Sequence, residues 1–356
     1  MKGNKGEWSE LYVFLKLLGD GKLYAADENM KKIEDIFYGI IKIIREDKLH
    51  NLEYVYDGEI TIVDANTDNT LLVLPDTYFK SAATKLLQEI KLNKNSFEIP
   101  EISQLAQNIS YTNLKANSSS KTDITLMIHD YKTGFQTETG FSIKSRLGSP
   151  ATLLNASRAT NFEYKISNKK LSNHEVMTFN NISNFKEKFQ YLNEIGADIM
   201  FNRVCSKVFE YNLKLVDTGL PEVIASLLKK SFSSSNRIIT DLTHLIAEEN
   251  VFSIPEDEAL TFYSYKVKEL LTNIALGMVP AKNWNGVYET TGGYIIVKED
   301  GDVLCYHVYN RNEFRDYLFL NTKLEVGSTN RHEFGLIEEI DGEQFLNLNL
   351  QIRFTR

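Results

Sequence analysis

The sequence predicts a mixed α/β protein with a helical subdomain in its middle and β-hairpins toward its C-terminal end. Three observations lead there. Apolar residues recur at helical spacing near the N-terminus and through 183–277. Alternating, β-branched runs fill much of the remainder. Asp-Gly dipeptides interrupt those runs where hairpins would turn. A chain of 356 residues that is 42% hydrophobic and 25% charged can bury a real core and has room for about two domains.

The elements follow in order. Trp8, Leu11, Tyr12, Leu15 and Leu18 make the apolar face of a first helix, ended by Gly19 and Gly21, with Glu7 and Glu10 on the other face. GIIKIIRED and EYVYDGEITIVD read as strands, the second folded at Asp57-Gly58. Pro75-Asp76 opens a helix carried by Phe79, Ala82, Ala83, Leu86, Leu87 and Ile90, and a shorter one is expected after Pro100. ANSSSK at 116–121 reads as a polar loop before two strands, TDITLMIHD and TGFSIKSRL, joined by a turn around Lys132 to Gly134. Gly148-Ser149-Pro150 predicts a helix start, with Ser149 as cap and Pro150 in the first turn. NFEYKI reads as a strand. The region 183–277 reads as mainly helical, with a serine-rich break, SFSSSN, at 231–236. GYIIVKEDGDVLCYHVY is a hairpin through Asp300-Gly301, and the last hairpin turns at Asp341-Gly342 into FLNLNLQIRF. No repeat of solenoid period occurs.

Composition narrows the function classes. No run of about 18 apolar residues is present, so no membrane helix is expected. MKGNKGEWSE lacks the apolar stretch of a signal peptide. Two cysteines, Cys205 and Cys305, make neither a disulfide framework nor a zinc site, which points to a reducing cytoplasm. There is no phosphate-binding G-x-x-x-x-G-K-[ST] loop and no G-x-G-x-x-G after a strand, so no nucleotide cofactor is expected. The six histidines are scattered singly, as surface or structural histidines are. The net charge is −8, yet 142–170 holds six basic residues against Glu163 alone, a local +5 that leaves −13 elsewhere. A basic patch in an acidic shell is compatible with a DNA cleft, although charge alone favours a solvated basic loop.

One constellation can carry chemistry. Asp123 opens an apolar strand, and Ser142-Ile143-Lys144 lies in the next, where alternation puts residues 142 and 144 on one face. In an antiparallel pair, a carboxylate and an ammonium can then share one edge of the sheet. Hard oxygen donors such as Asp123 suit Mg²⁺. A metal-held carboxylate beside a lysine suits phosphodiester hydrolysis, the lysine orienting water and offsetting developing charge. One Asp is too little for such a site. The candidates for a second carboxylate are Glu10, Glu7, Glu163 and Glu138.

At GFSIKSRLGSPATLLNASRATNF the chain resembles the type II restriction endonucleases of the HpaII family. The resemblance extends through KGNKGEWSELYVFLKLL, LYAADEN, GGYIIVKEDGDVLCYHVYNRNEFRDYLF, STNRHEFG and NLQIRF. It implies a PD-(D/E)xK core, a mixed central sheet flanked by helices, spanning 1–180. A helical subdomain at 181–280 and a C-terminal β-rich part at 281–356, packed on the core and contacting DNA, would complete the chain. It also implies Mg²⁺ dependence, cleavage of double-stranded DNA at CCGG in a bacterial cytoplasm, and a cognate DNA methyltransferase as functional partner. The oligomeric state stays open, a homodimer on a palindromic site being one option.

Two departures from the superfamily pattern stand out. Thr122 replaces the proline before Asp123, and Ser142 replaces the acidic residue of the second half-motif. The missing carboxylate would come from Glu10, favoured because an early helix carrying a glutamate toward the site recurs in the superfamily, or from Glu163. That choice is analogy. For DNA reading, Arg146, Arg158, Arg311 and Arg331 could present guanidinium forks to guanine, and Asn155 and Asn161 could offer amides. A different class of reading is a DNA-binding protein derived from a nuclease but lacking cleavage. Retention of both Asp123 and Lys144 favours the enzyme.

Overall fold

The structure is a computed structural model and describes residues 1–46, 51–114 and 122–355. The expected loop at 116–121 lies outside the described residues. In chain order the elements begin with β1 (Lys2–Asn4), α1 (Lys5–Asp20), β2 (Lys22–Ala26), β3 (Lys32–Glu46), β4 (Asn51–Asp57), β5 (Glu59–Asp64) and β6 (Asn69–Pro75). There follow α2 (Asp76–Leu92), β7 (Ser96–Glu98), α3 (Pro100–Asn108), β8 (Ile124–Asp130), β9 (Gln136–Ser145), β10 (Thr152–Leu154) and β11 (Asn161–Ser167). Next come α4 (Asn173–Asn181), α5 (Phe185–Glu194), β12 (Asp198–Val204), α6 (Lys207–Val216), α7 (Leu220–Ser234), α8 (Ile239–Glu249) and α9 (Glu256–Leu276). The chain closes with β13 (Gly293–Val297), β14 (Val303–His307), α10 (Arg311–Leu320), β15 (Thr322–Leu324), α11 (Thr329–His332), β16 (Ile337–Ile340), β17 (Glu343–Asn349) and β18 (Ile352–Phe354).

Two compact units are present: residues 1–151 with 288–317, and residues 152–287 with 318–356. The three-part division expected at 180 and 280 is therefore not the one observed. The reason lies in pairing: β13 lies parallel to β9 and β14 parallel to β2, so the late hairpin belongs to the first unit. β11 pairs with β12 and β17 and belongs to the second.

In the first unit, the described residues form a nine-stranded mixed sheet in the order β2-β14-β13-β9-β8-β3-β4-β5-β6. β3 is long enough to serve two neighbours. Its first half pairs with β2, and its later residues pair with β8 and β4. The β2–β3 pairing joins β2, β14, β13, β9, β8 and β3 into a closed ring of hydrogen-bonded strands. α1 is the core helix. Asn4 accepts from the Glu7 amide at 3.1 Å while the Glu7 carboxylate accepts from the Asn4 amide at 2.8 Å, closing a capping box. Gly21 ends the helix at φ 66°, a left-handed conformation that its missing Cβ permits. Trp8, Leu11, Leu15 and Leu18 are fully buried with Phe79, Leu86 and Ile90 of α2 in one apolar cluster.

In the second unit the sheet runs β12-β11-β17-β16. Phe162 and Tyr164 face the helices: Phe162 meets Phe209 of α6 edge-on, and the Tyr164 hydroxyl donates to the Ala225 carbonyl of α7 at 2.7 Å. By alternation Asn161, Glu163 and Lys165 occupy the opposite face.

Several expectations are corrected here. No helix starts at Pro150. Instead β10 pairs with β18, Thr152 opposite Arg353 and Leu154 opposite Ile352, and a short 3₁₀ turn follows at Arg158–Thr160. Tertiary pairing outweighs the local cap signal. A strand, β12, interrupts the helical region. The serine-rich segment is helical to Ser234, with Ser234 Oγ bonding back to the Lys230 carbonyl at 2.6 Å, and the break comes at Ser235. FLNLNLQIRF splits between β17 and β18, which belong to different sheets. NRNEFRDYLF holds helix α10, whose buried Phe314, Tyr317 and Leu318 keep helical spacing inside a stretch expected to be β.

Candidate active site

The β8–β9 register pairs Ile124 with Phe141, and the Asp123 amide donates to the Phe141 carbonyl at 2.9 Å. That register sets Asp123 across from Ser142. Asp123 Oδ2 accepts from the Ser142 hydroxyl at 3.0 Å and from the Ile143 amide at 2.6 Å. Lys144 Nζ donates to Ser142 Oγ at 2.7 Å. The three residues thus form one hydrogen-bonded chain, carboxylate to hydroxyl to ammonium. No described residue bonds Asp123 Oδ1.

β13 supports this edge from the other side. Tyr294 is in register with Ser142 and Ile296 with Lys144, and Lys144 Nζ lies 5.1 Å from the centre of the Tyr294 ring. The ring thus lies beside the ammonium of a half-buried lysine. Burial pushes the Lys144 ammonium below the ordinary lysine pKa, while the charges of Asp123 and Glu10 oppose the shift.

Glu10 reaches this neighbourhood because α1 is set against the end of β9. The Ser9 and Ser145 hydroxyls meet at 2.8 Å. Asp123 and Glu10 both act electrostatically on Lys144 and on buried Tyr111, whose hydroxyl is pushed up to about 12, chiefly by burial. Arg45 stacks on the Tyr111 ring at 3.6 Å and donates from Nη2 to the Asn113 carbonyl at 2.6 Å. Arg45 and Tyr111 were not anticipated. They come from β3 and the segment after α3, and no local motif announces them.

A profile of the HpaII restriction endonuclease family matches residues 4–354. The chain belongs to the HpaII restriction endonuclease family. It is 42% identical over 354 residues to the type II restriction enzyme HpaII of Haemophilus parainfluenzae, covering 99% of this chain and 98% of that enzyme. No solved structure matches it. The protein is accordingly a site-specific deoxyribonuclease.

For this HpaII-family chain, the remaining expected residues fall into distinct settings. Glu7 is the capping-box residue of α1. Glu138 is exposed on the first part of β9. Glu163 belongs to the second unit, where its carboxylate accepts from Arg203 Nε at 2.8 Å, Arg203 Nη2 at 3.1 Å and Asn202 Nδ2 at 2.7 Å. Both of its oxygens are engaged by a cation and an amide, which argues against a role as metal ligand. Asn161 is buried. Its Nδ2 donates to the His332 carbonyl at 2.9 Å and its Oδ1 accepts from Asn349 at 2.7 Å, so the amide is structural. Asn155 is exposed. Arg158 pairs with Glu333 on the surface. Arg146 is partly buried, with Nη1 2.8 Å from the Met30 sulfur. Arg311 begins α10 and Arg331 lies on α11, both exposed. Among the described residues, no group of three or more His, Cys, Asp or Glu forms a metal cage.

Proposed function

We propose that this endonuclease makes Mg²⁺-dependent double-strand breaks in DNA at CCGG. The observation that carries the cleavage reading is the Asp123–Ser142–Lys144 chain with Glu10 beside it. The sequence preference is inherited from the resemblance to the HpaII family.

The donor set fits the cation. Mg²⁺ is commonly held by one or two carboxylates, with waters and substrate phosphate filling the remaining positions, so Asp123 and Glu10 suffice where a protein cage is absent. Asp123 Oδ2 is engaged by Ser142 and Ile143, which fixes the carboxylate and leaves Oδ1 as its outward oxygen. Bound Mg²⁺ supplies polarisation of the scissile phosphate and a lowered pKa for a coordinated water.

The chain's own residues do the rest. Lys144 carries three donors, and Ser142 Oγ uses one, leaving N–H groups for the attacking water and a phosphate oxygen. Its depressed pKa makes proton exchange with that water easier than for an exposed lysine. Ser142 spaces ammonium from carboxylate, donating to one and accepting from the other. A carboxylate at 142 would instead raise the Lys144 pKa.

The expected cognate methyltransferase would keep the host's own CCGG sites resistant. A palindromic site also favours a two-fold dimer on DNA, testable by light scattering with and without duplex. No described helix is long and apolar enough to cross a membrane. A cytoplasmic location would follow from the DNA substrate.

The test is digestion of DNA of known sequence with Mg²⁺ or EDTA, with fragment ends mapped. Ends at CCGG only when Mg²⁺ is present are expected. Ends at other sequences refute the specificity but leave the nuclease intact, and cutting in EDTA refutes the metal.

A further inference from the structure

Three adjacent strands of the second unit carry a row of polar side chains that the cleavage chemistry leaves unused. Glu163 of β11 is in register with Arg203 of β12 on one side and Asn347 of β17 on the other. The row lies on the sheet face opposite the one that holds Phe162 and Tyr164 against the helices. The Glu163 side chain is 8% exposed and that of Arg203 is 57% exposed. Arg203 and Asn202 hold the Glu163 carboxylate below the usual glutamate range, against the desolvation that burial imposes.

As a stabilising device this pair is a poor choice. A partly exposed ion pair contributes little to stability, and burying the carboxylate opposes even that. What the arrangement secures is direction. Glu163 grips the guanidinium side-on through Nε and Nη2, which orients the plane. No described residue bonds Nη1. The end of the fork, Nη1 with the second Nη2 proton, therefore faces solvent as a fixed pair of donors. That spacing matches the O6 and N7 acceptors of guanine in the major groove. Arg158 differs, because its partner Glu333 is itself exposed and the pair can open toward a phosphate.

We infer that Arg203 reads a guanine of the recognition site and that Glu163 is its positioning residue. The inference rests on the proposed DNA specificity and deepens it by naming the reader. Arg203 takes the base edge, and Asn202, bonded to the same carboxylate, stiffens the grip.

The test uses the full-length enzyme and a duplex containing the mapped site, with each guanine replaced in turn by 7-deazaguanine, which lacks the N7 acceptor. Wild-type binding should fall by roughly 5- to 150-fold at one guanine. Arg203→Ala should bind the unmodified duplex more weakly by a similar factor and show no further loss at that guanine. Arg203→Lys should behave like Arg203→Ala, since a point charge cannot form the fork. Glu163→Gln should shrink the loss at the same guanine while losses at other positions persist, which a merely structural role would not produce. Circular dichroism on each variant separates misfolding from lost contact. If Arg203→Ala and Arg203→Lys lose as much as wild type at every modified guanine, Arg203 is not the reader. A wild-type enzyme indifferent to N7 at every guanine of its site also overturns the inference. Ends mapping outside CCGG refute that specificity instead, and the analogue series on the mapped site still decides Arg203.

Discussion

Ser142 is the residue on which the site's electrostatics turn, because its hydroxyl both restrains Asp123 and receives Lys144. Asp123→Ala removes the fixed carboxylate and should cut the cleavage rate on the order of a thousandfold or more while specific binding stays measurable. Near wild-type cleavage of a CCGG plasmid would sink the assignment. Lys144→Ala should be almost as damaging in single-turnover rate at saturating enzyme, and Lys144→Arg should not rescue it, since a planar fork cannot replace a compact ammonium. A normal single-turnover rate with weaker binding would make Lys144 a phosphate clamp instead. Glu10 and Glu7 now separate on structural grounds. Glu7→Gln keeps a capping-box residue and should be mild, whereas Glu10→Gln removes a charge felt by Lys144 and should reduce cleavage strongly with little change in folding. Iron-mediated hydroxyl-radical cuts near residue 10 would support this, and cuts confined to Glu163 would hand the role there. Asp123, Ser142 and Lys144 were legible because strand alternation and one hairpin bring them together. Glu10 is reached from sequence only by analogy, and Arg203 is not legible there because its meaning lies in a cross-strand partner that spacing along the chain does not reveal.

Strand β13 acts on the site without contributing to its chemistry. It lies parallel to β9 with Tyr294 beside Ser142, so its position decides where the ring over Lys144 sits. Gly293 permits this at φ 100°, and a Cβ there would stand 2.2 Å from the Tyr306 carbonyl oxygen of β14. Gly293→Ala should therefore destabilise the first unit by at least about 2 kcal/mol and lower cleavage as the hairpin shifts. Unchanged urea midpoint and activity would show that the hairpin has more slack than this packing implies. The hairpin itself was legible from Asp300-Gly301, as were α1, α2 and the turns at Asp57-Gly58 and Asp341-Gly342, because each is encoded within a few residues. Elements that depend on distant partners were not. The strand β10 exists because β18 pairs with it, and Ser149-Pro150 could not reveal that. The grouping of the late hairpin with the first unit was hidden for the same reason, since parallel pairing of β13 with β9 is a long-range choice.

At the scale of the whole molecule, buried titratable groups limit stability from both ends of the pH range. His307 is 1% exposed, beside Tyr38, Phe141 and Tyr309. Its Nδ1 accepts from the Tyr309 amide at 3.1 Å, and its Nε2 is buried without a partner. Burial pushes its pKa from 6.5 down to about 4, with Asp130 opposing. The unfolded chain therefore takes up this proton more readily, and stability should fall as pH drops from 6.5 toward 4, by at most roughly 3 kcal/mol. On the alkaline side, burial raises Tyr12, Tyr38, Tyr54 and Tyr306 above the ordinary value of 10. Their contribution is intact below 10 and is lost as pH rises beyond it, because the unfolded tyrosines ionise first. Lys188 works in the opposite sense. Burial lowers it from 10.5 to about 8, so its penalty eases across that interval and should soften the onset of alkaline loss. Asparagine can present an acceptor near the place of Nδ1, so His307→Asn should keep the Tyr309 contact while removing the titration. Urea midpoints at pH 7.5 and at about 5, followed by Trp8 emission in a Trp284→Phe background, should show a smaller acid loss for the variant. If wild type and His307→Asn lose stability in parallel, carboxylates rather than His307 set the acid limit.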